Sequence, residues 1–131
     1  MKHSVLLTVA SLLSILFFTL HLAGDILRGF EKGGLSNLTA VPTSVIWLSG
    51  TLLLAERRSG YVITLLGSLL LGMLVPILHM AIGKGLGGAM SRSGEGALFF
   101  IWTTIALGVT SLFAGILSVR GLWILRRGGP R

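Results

Sequence analysis

The sequence predicts an all-α integral membrane protein: a four-helix bundle of up-down-up-down order with both termini on the cytoplasmic side. Four stretches lack any Asp, Glu, Lys or Arg: His3 to Gly24, Gly33 to Ala55, Ser59 to Gly83 and Gly96 to Val119. Each is long enough for the roughly 20 residues that a spanning helix needs. Hydrophobic residues make up 53% of the 131 and the mean hydropathy is +0.90, so four helices use nearly the whole chain and leave no room for a water-soluble domain. The expected helices are about 4–24, 37–56, 60–82 and 97–119, within one domain, 1–131.

Orientation follows from the basic residues. Lys2, Arg57, Arg58, Arg120, Arg126, Arg127 and Arg131 fall on the side of the termini and the middle loop, while Arg28, Lys32, Lys84 and Arg92 fall on the other. The excess of Lys and Arg marks the cytoplasmic side. Glu56 is the one acid there and Asp25, Glu31 and Glu95 lie opposite, so most of the net charge of +7 is inside. Attraction to anionic lipid headgroups accounts for that charge more simply than nucleic acid, which would need a folded soluble module. The location expected is a bacterial cytoplasmic membrane.

In the first helix, Lys2 precedes a long apolar run with a poor cleavage pattern, so the segment is expected to stay as a helix and not to be removed as a signal peptide. Ser4, Ser11, Phe18 and Asp25 repeat by seven beside Leu7, Ser14 and His21, which makes one polar stripe expected to face protein. The second helix should be capped by Ser36, Asn37 or Thr39, with Pro42 in its first turn and Gly33 and Gly34 breaking the chain before it. Asn37, Leu38 and Thr39 also spell a glycosylation sequon, but so close to the membrane surface they read as caps. Trp47, in mid-span, is expected to pack.

The third helix places Ser68, Gly72 and His79 along one face with Pro76 beside it, small and polar residues where helices approach closely. After it, Gly83, Gly85 and Gly88 have dinucleotide-fingerprint spacing but follow a membrane helix and no strand, so they read as a loop. Thr104, Gly108, Ser111, Gly115 and Ser118 form a stripe on the fourth helix; Gly72, Gly108, Ser111 and Gly115 are the expected packing positions. Tyr61, Trp123 and Trp102 fit interfacial belts.

Three ionisable residues, His21, Asp25 and His79, stand in or at the edge of the apolar spans, and counting from the outer ends puts them in one layer near the outer surface. Such groups are costly in hydrocarbon and default to a site hypothesis. His21 and His79 could reach a shared ligand across the bundle, a haem or a divalent metal completed by Asp25, or Asp25 could orient His21 by accepting its ring N–H. Proton handling at an outward quinone or substrate pocket is another use of the same groups. Structural readings stand beside these: Asp25 pairing with Arg28, and histidines bonded to backbone carbonyls or serines inside the bundle. His3 reads as interfacial.

With no cysteine, thiolate chemistry is excluded. No hydrolase nucleophile pattern is visible, so no catalytic residue is assigned and the chain is not expected to be an enzyme. Transport is disfavoured because no acid lies in the middle of a span, although a small channel built on backbone dipoles and hydroxyls is a remaining alternative. Cysteine-dependent membrane oxidoreductases and small multidrug carriers with a buried acid have patterns that this chain lacks. The expected role is an accessory or ligand-binding subunit with an outer His/Asp pocket, its partners being lipids and other membrane subunits or copies of itself.

Overall fold

The computed structural model of the chain describes residues 3–29, 33–82 and 94–128, with the backbone alone for 36, 79–82 and 95. About 90% of the described residues are helical and no strand occurs among them. Helix α1 spans His3–Leu27, α2 Ala40–Leu52, α3 Arg58–Gly67, α4 Leu74–Ile82 and α5 Ala97–Arg126. A π-helical segment, Ser68–Met73, joins α3 to α4 without a break, and 3₁₀ turns occupy Leu35–Thr39 and Gly94–Gly96. Among the described residues, three helices are long and apolar enough to cross a membrane: α1, Arg58–Leu78 and α5.

The second element departs from expectation. At 13 residues α2 is shorter than the 37–56 predicted. Its start is displaced because 35–39 winds as a 3₁₀ turn, with Asn37 N–H bonded to the Gly34 carbonyl at 3.0 Å. Ser36, Asn37 and Thr39 therefore lie inside that turn, and no side chain caps α2. Its end comes early because Leu53 and Leu54 both donate to the Ser49 carbonyl and Glu56 takes a left-handed φ of 65° before the chain re-enters a helix at Arg58. The last helix runs past the predicted residue 119 to Arg126, since an arginine ends an apolar run without ending a helix. Likewise, Pro76 does not break the third helix. Its ring excludes the carbonyl four residues back, at Gly72, and the widened π turn lies at that point.

Helix α1 packs against α2 and α5, and α3 packs against α2 and α5. The apolar and polar residues are distributed inversely to those of a water-soluble core. Among the described residues, eleven buried positions are polar and nine hydrophobic, while leucine, valine and isoleucine dominate the exposed surface. Buried hydroxyls turn back onto the helix that carries them: Ser14 donates to the Ala10 carbonyl at 2.8 Å, Thr51 to Trp47 at 2.9 Å and Ser68 to Thr64 at 2.7 Å. Between α1 and α2, the Ser11 and Thr51 hydroxyls meet at 2.6 Å. Because Thr51 has committed its one hydrogen to Trp47, Ser11 is the donor of that bond.

Small residues set the close approaches. A Cβ on Gly72 would collide with the Ser111 side chain, and one on Gly121 with the Tyr61 ring. Gly115 faces Ser68 and Leu65 at ordinary distances, whereas nothing lies within 4 Å of the corresponding point on Gly108, so that member of the stripe makes no close approach. Trp47 is buried against Gly67, as expected of a packing residue. Tyr61 is buried too, and is not a member of a surface belt; Trp102 and Trp123 are 58% and 52% exposed.

Candidate functional site

The predicted stripe on α1 is buried from Leu7 onward, with Ser4 only partly covered: Leu7, Ser11, Ser14, Phe18, His21 and Asp25 all turn inward. At its C-terminal end His21 and Asp25, each 2% exposed and one helical turn apart, bring Nε2 and Oδ2 to 3.5 Å. The i, i+4 spacing makes this contact possible, since side chains four apart stand above one another on a helix. The His21 ring also lies 5.0 Å from that of Phe100, which with Thr103 and Thr104 comes from the first turns of α5. Arg28, just past α1, sits over Phe99 and Phe100 at 5.6 and 5.9 Å and holds the end of α1 to the start of α5.

The two threonines fix the imidazole. Nδ1 of His21 is 3.4 Å from Thr103 Oγ1 and 3.3 Å from Thr104 Oγ1. Both hydroxyls already donate to backbone carbonyls: Thr103 to Phe99 at 2.9 Å and Phe100 at 3.0 Å, and Thr104 to Phe100 at 2.7 Å. A hydroxyl has one hydrogen, so each can only accept from His21, and Nδ1 carries the proton. Nε2 faces Asp25 Oδ2, itself an acceptor, so that contact is attractive when a further proton lies between the two atoms. Replacing both threonines by valine is expected to remove this bias: ¹⁵N NMR should show a protonated Nδ1 at His21 in the parent protein and a mixture of tautomers in the double variant. An unprotonated Nδ1 in the parent would refute the assignment.

Beside the pair is a cavity of about 300 Å³. Phe18, His21, Leu22 and Asp25 line it from α1, Asn37, Thr39, Ala40 and Thr43 from the second segment, and Leu71 and Val75 from the third. The Asn37 side-chain oxygen is buried and makes no hydrogen bond among the described residues.

No family model, curated protein or solved structure matches the chain.

The structure thus brings together His21 and Asp25 of the three predicted site residues. His79 belongs to α4, four residues beyond Val75, and its side chain lies outside the described residues, as does the glycine pattern at 83, 85 and 88. No group of three His, Cys, Asp or Glu suited to a metal occurs among the described residues. Thr103 and Thr104 were not anticipated as partners. The available signal was an adjacent threonine pair in an apolar run.

Proposed function

We propose that the protein is a four-span integral membrane protein with both termini cytoplasmic, and that it serves as a ligand-binding or accessory subunit of a membrane complex through its outer cavity. The buried His21–Asp25 pair beside that cavity carries the reading. A volume of about 300 Å³ is at the small end of ligand sites, and mostly apolar walls with a few convergent polar groups are their usual make-up. Four spans are favoured because the 3₁₀ turn and α2 together would extend roughly 30 Å, about the thickness of a hydrocarbon core. Up-down-up-down order agrees with the cavity, which gathers the ends of α1 and the third helix with the start of the second segment. The Lys and Arg excess supplies the orientation.

Leu71→Trp tests the cavity, because the larger ring fills it and leaves His21 and Asp25 in place. Protein extracted from native membranes in mild detergent is expected to carry a small molecule or stoichiometric partner that is lost in Leu71→Trp and in His21→Ala. Identical co-purifying material in all three preparations would sink the reading.

A haem or metal is the second reading, supported by the Nδ1 bond to the threonines. That bond is the kind of support that orients a ligating imidazole and leaves Nε2 to coordinate. His21 and Asp25 would supply two donors and His79 is the sequence's candidate for a third. A visible absorption band or stoichiometric metal, absent in His21→Ala and His79→Ala, is the expected signature; a colourless, metal-free protein would discard it.

A further inference from the structure

At the end of the molecule opposite His21, a groove of about 650 Å³ separates the start of α3 from the end of α5. It is lined by Arg58 and Val62 from one helix and by Leu122, Leu125 and Arg126 from the other. The two sets are arranged alike. Arg58 and Arg126 are the outermost residues on their helices, and Val62 and Leu122 lie four residues, or roughly 6 Å, further in. The groove is therefore cationic at its mouth and aliphatic below. The neighbouring arginine, Arg127, is engaged elsewhere, with its guanidinium 3.7 Å above the Trp123 ring. The one salt bridge among the described residues is His21–Asp25, so no described carboxylate neutralises Arg58 or Arg126. Tyr61 seated on Gly121 holds the two helices together beside the groove.

We propose that this groove binds one anionic phospholipid, its phosphate between Arg58 and Arg126 and its acyl chains along Val62, Leu122 and Leu125. Charge complementarity and the depth order of charge over aliphatic surface select this occupant: a second protein helix would have to bury both arginines, whereas a lipid leaves them at headgroup level. The proposal rests on the membrane-spanning reading alone and is independent of the outer cavity.

Trp123 reports on the site. In bilayer discs the Trp102→Phe protein retains Trp123 and the buried Trp47, so quenching by bromine on lipid chains reads the groove end. Brominated phosphatidylglycerol at low mole fraction is expected to quench well beyond its share of the lipid, while brominated phosphatidylcholine quenches in proportion. Each groove arginine should contribute about fivefold to the preference, so Arg58→Gln with Arg126→Gln abolishes it. Arg57→Gln with Arg120→Gln removes the same charge outside the groove, leaves Arg127 on the Trp123 ring and should preserve it. Equal loss in both double variants would reduce the effect to general surface charge, and quenching in proportion in the parent would show no site; either overturns the proposal. Millimolar inorganic phosphate should leave the quenching unchanged, and full reversal would identify a free phosphate as the ligand instead of a lipid. All four substitutions are at exposed positions, and unchanged helical circular dichroism identifies the folded variants.

Discussion

Gly60→Val is expected to be among the most damaging single substitutions at the described residues, lowering stability by about 3 kcal/mol or more, the upper end of overpacking effects. A Cβ at Gly60 would meet the Leu54 carbonyl, with its carbon at 2.7 Å, and the Gly50 carbonyl oxygen at 2.9 Å. These are backbone atoms, and no rotamer change relieves the collision. Two constraints oppose a backbone shift. Leu54 belongs to the tight turn that includes left-handed Glu56, and Tyr61, the next residue, is seated on Gly121. Gly108→Ala is the contrast, since open space awaits its methyl and a helical Gly→Ala change is worth up to about 1 kcal/mol in propensity. Unfolding in mixed micelles followed by helical circular dichroism should therefore move in opposite directions for the two variants. Equal behaviour would mean that α2 and α3 do not approach as closely as described.

His21 and Asp25 should behave as a unit. Breaking a buried pair by removing one member typically costs about 3 to 5 kcal/mol, because a polar group remains in a low-dielectric site without the partner that stabilised it. His21→Leu and Asp25→Leu are each expected to approach that range. The double variant should cost no more than the worse single, giving a coupling energy above about 1 kcal/mol in the cycle. The geometry behind this is the 3.5 Å contact between two side chains that are both 2% exposed, on adjacent turns of one helix. Strict additivity in the same unfolding measurement would show that the two do not interact and would remove the basis of the candidate site.

The all-helical character and three helices of membrane-spanning length could be read from the chain because hydrocarbon imposes a length rule directly on sequence. The α1 stripe is a good case. A seven-residue repeat of serines ending in His21 and Asp25 has only one stable direction in an apolar solvent, toward other helices, and those residues are buried. Gly72 on Ser111 follows similarly from small residues at helical spacing. The shortened α2 was illegible because Ser36, Asn37 and Thr39 suit a cap and a 3₁₀ turn equally well, and hydropathy does not register the left-handed Glu56. The π turn follows from where Pro76 meets Gly72, which periodicity alone does not resolve. In the site, the i, i+4 pair was visible locally, but the role of Thr103 and Thr104 depends on how α5 is set against α1, and that comes from packing over more than eighty residues of sequence separation.

The two exposed tryptophans of α5 have a consequence for the bilayer itself. Trp102 and Trp123 stand 21 residues apart on one uninterrupted helix, which spaces them at about 32 Å. Indole rings settle at the boundary between acyl chains and headgroups, so this helix is a ruler whose marks match a hydrocarbon thickness of about 30 Å. A thinner membrane must stretch locally or the helix must tilt, and a thicker one must thin around it, each at a cost of fractions of a kcal/mol per ångström. On the membrane-spanning reading proposed above, a preferred bilayer thickness is set by where two side chains sit on a single rod.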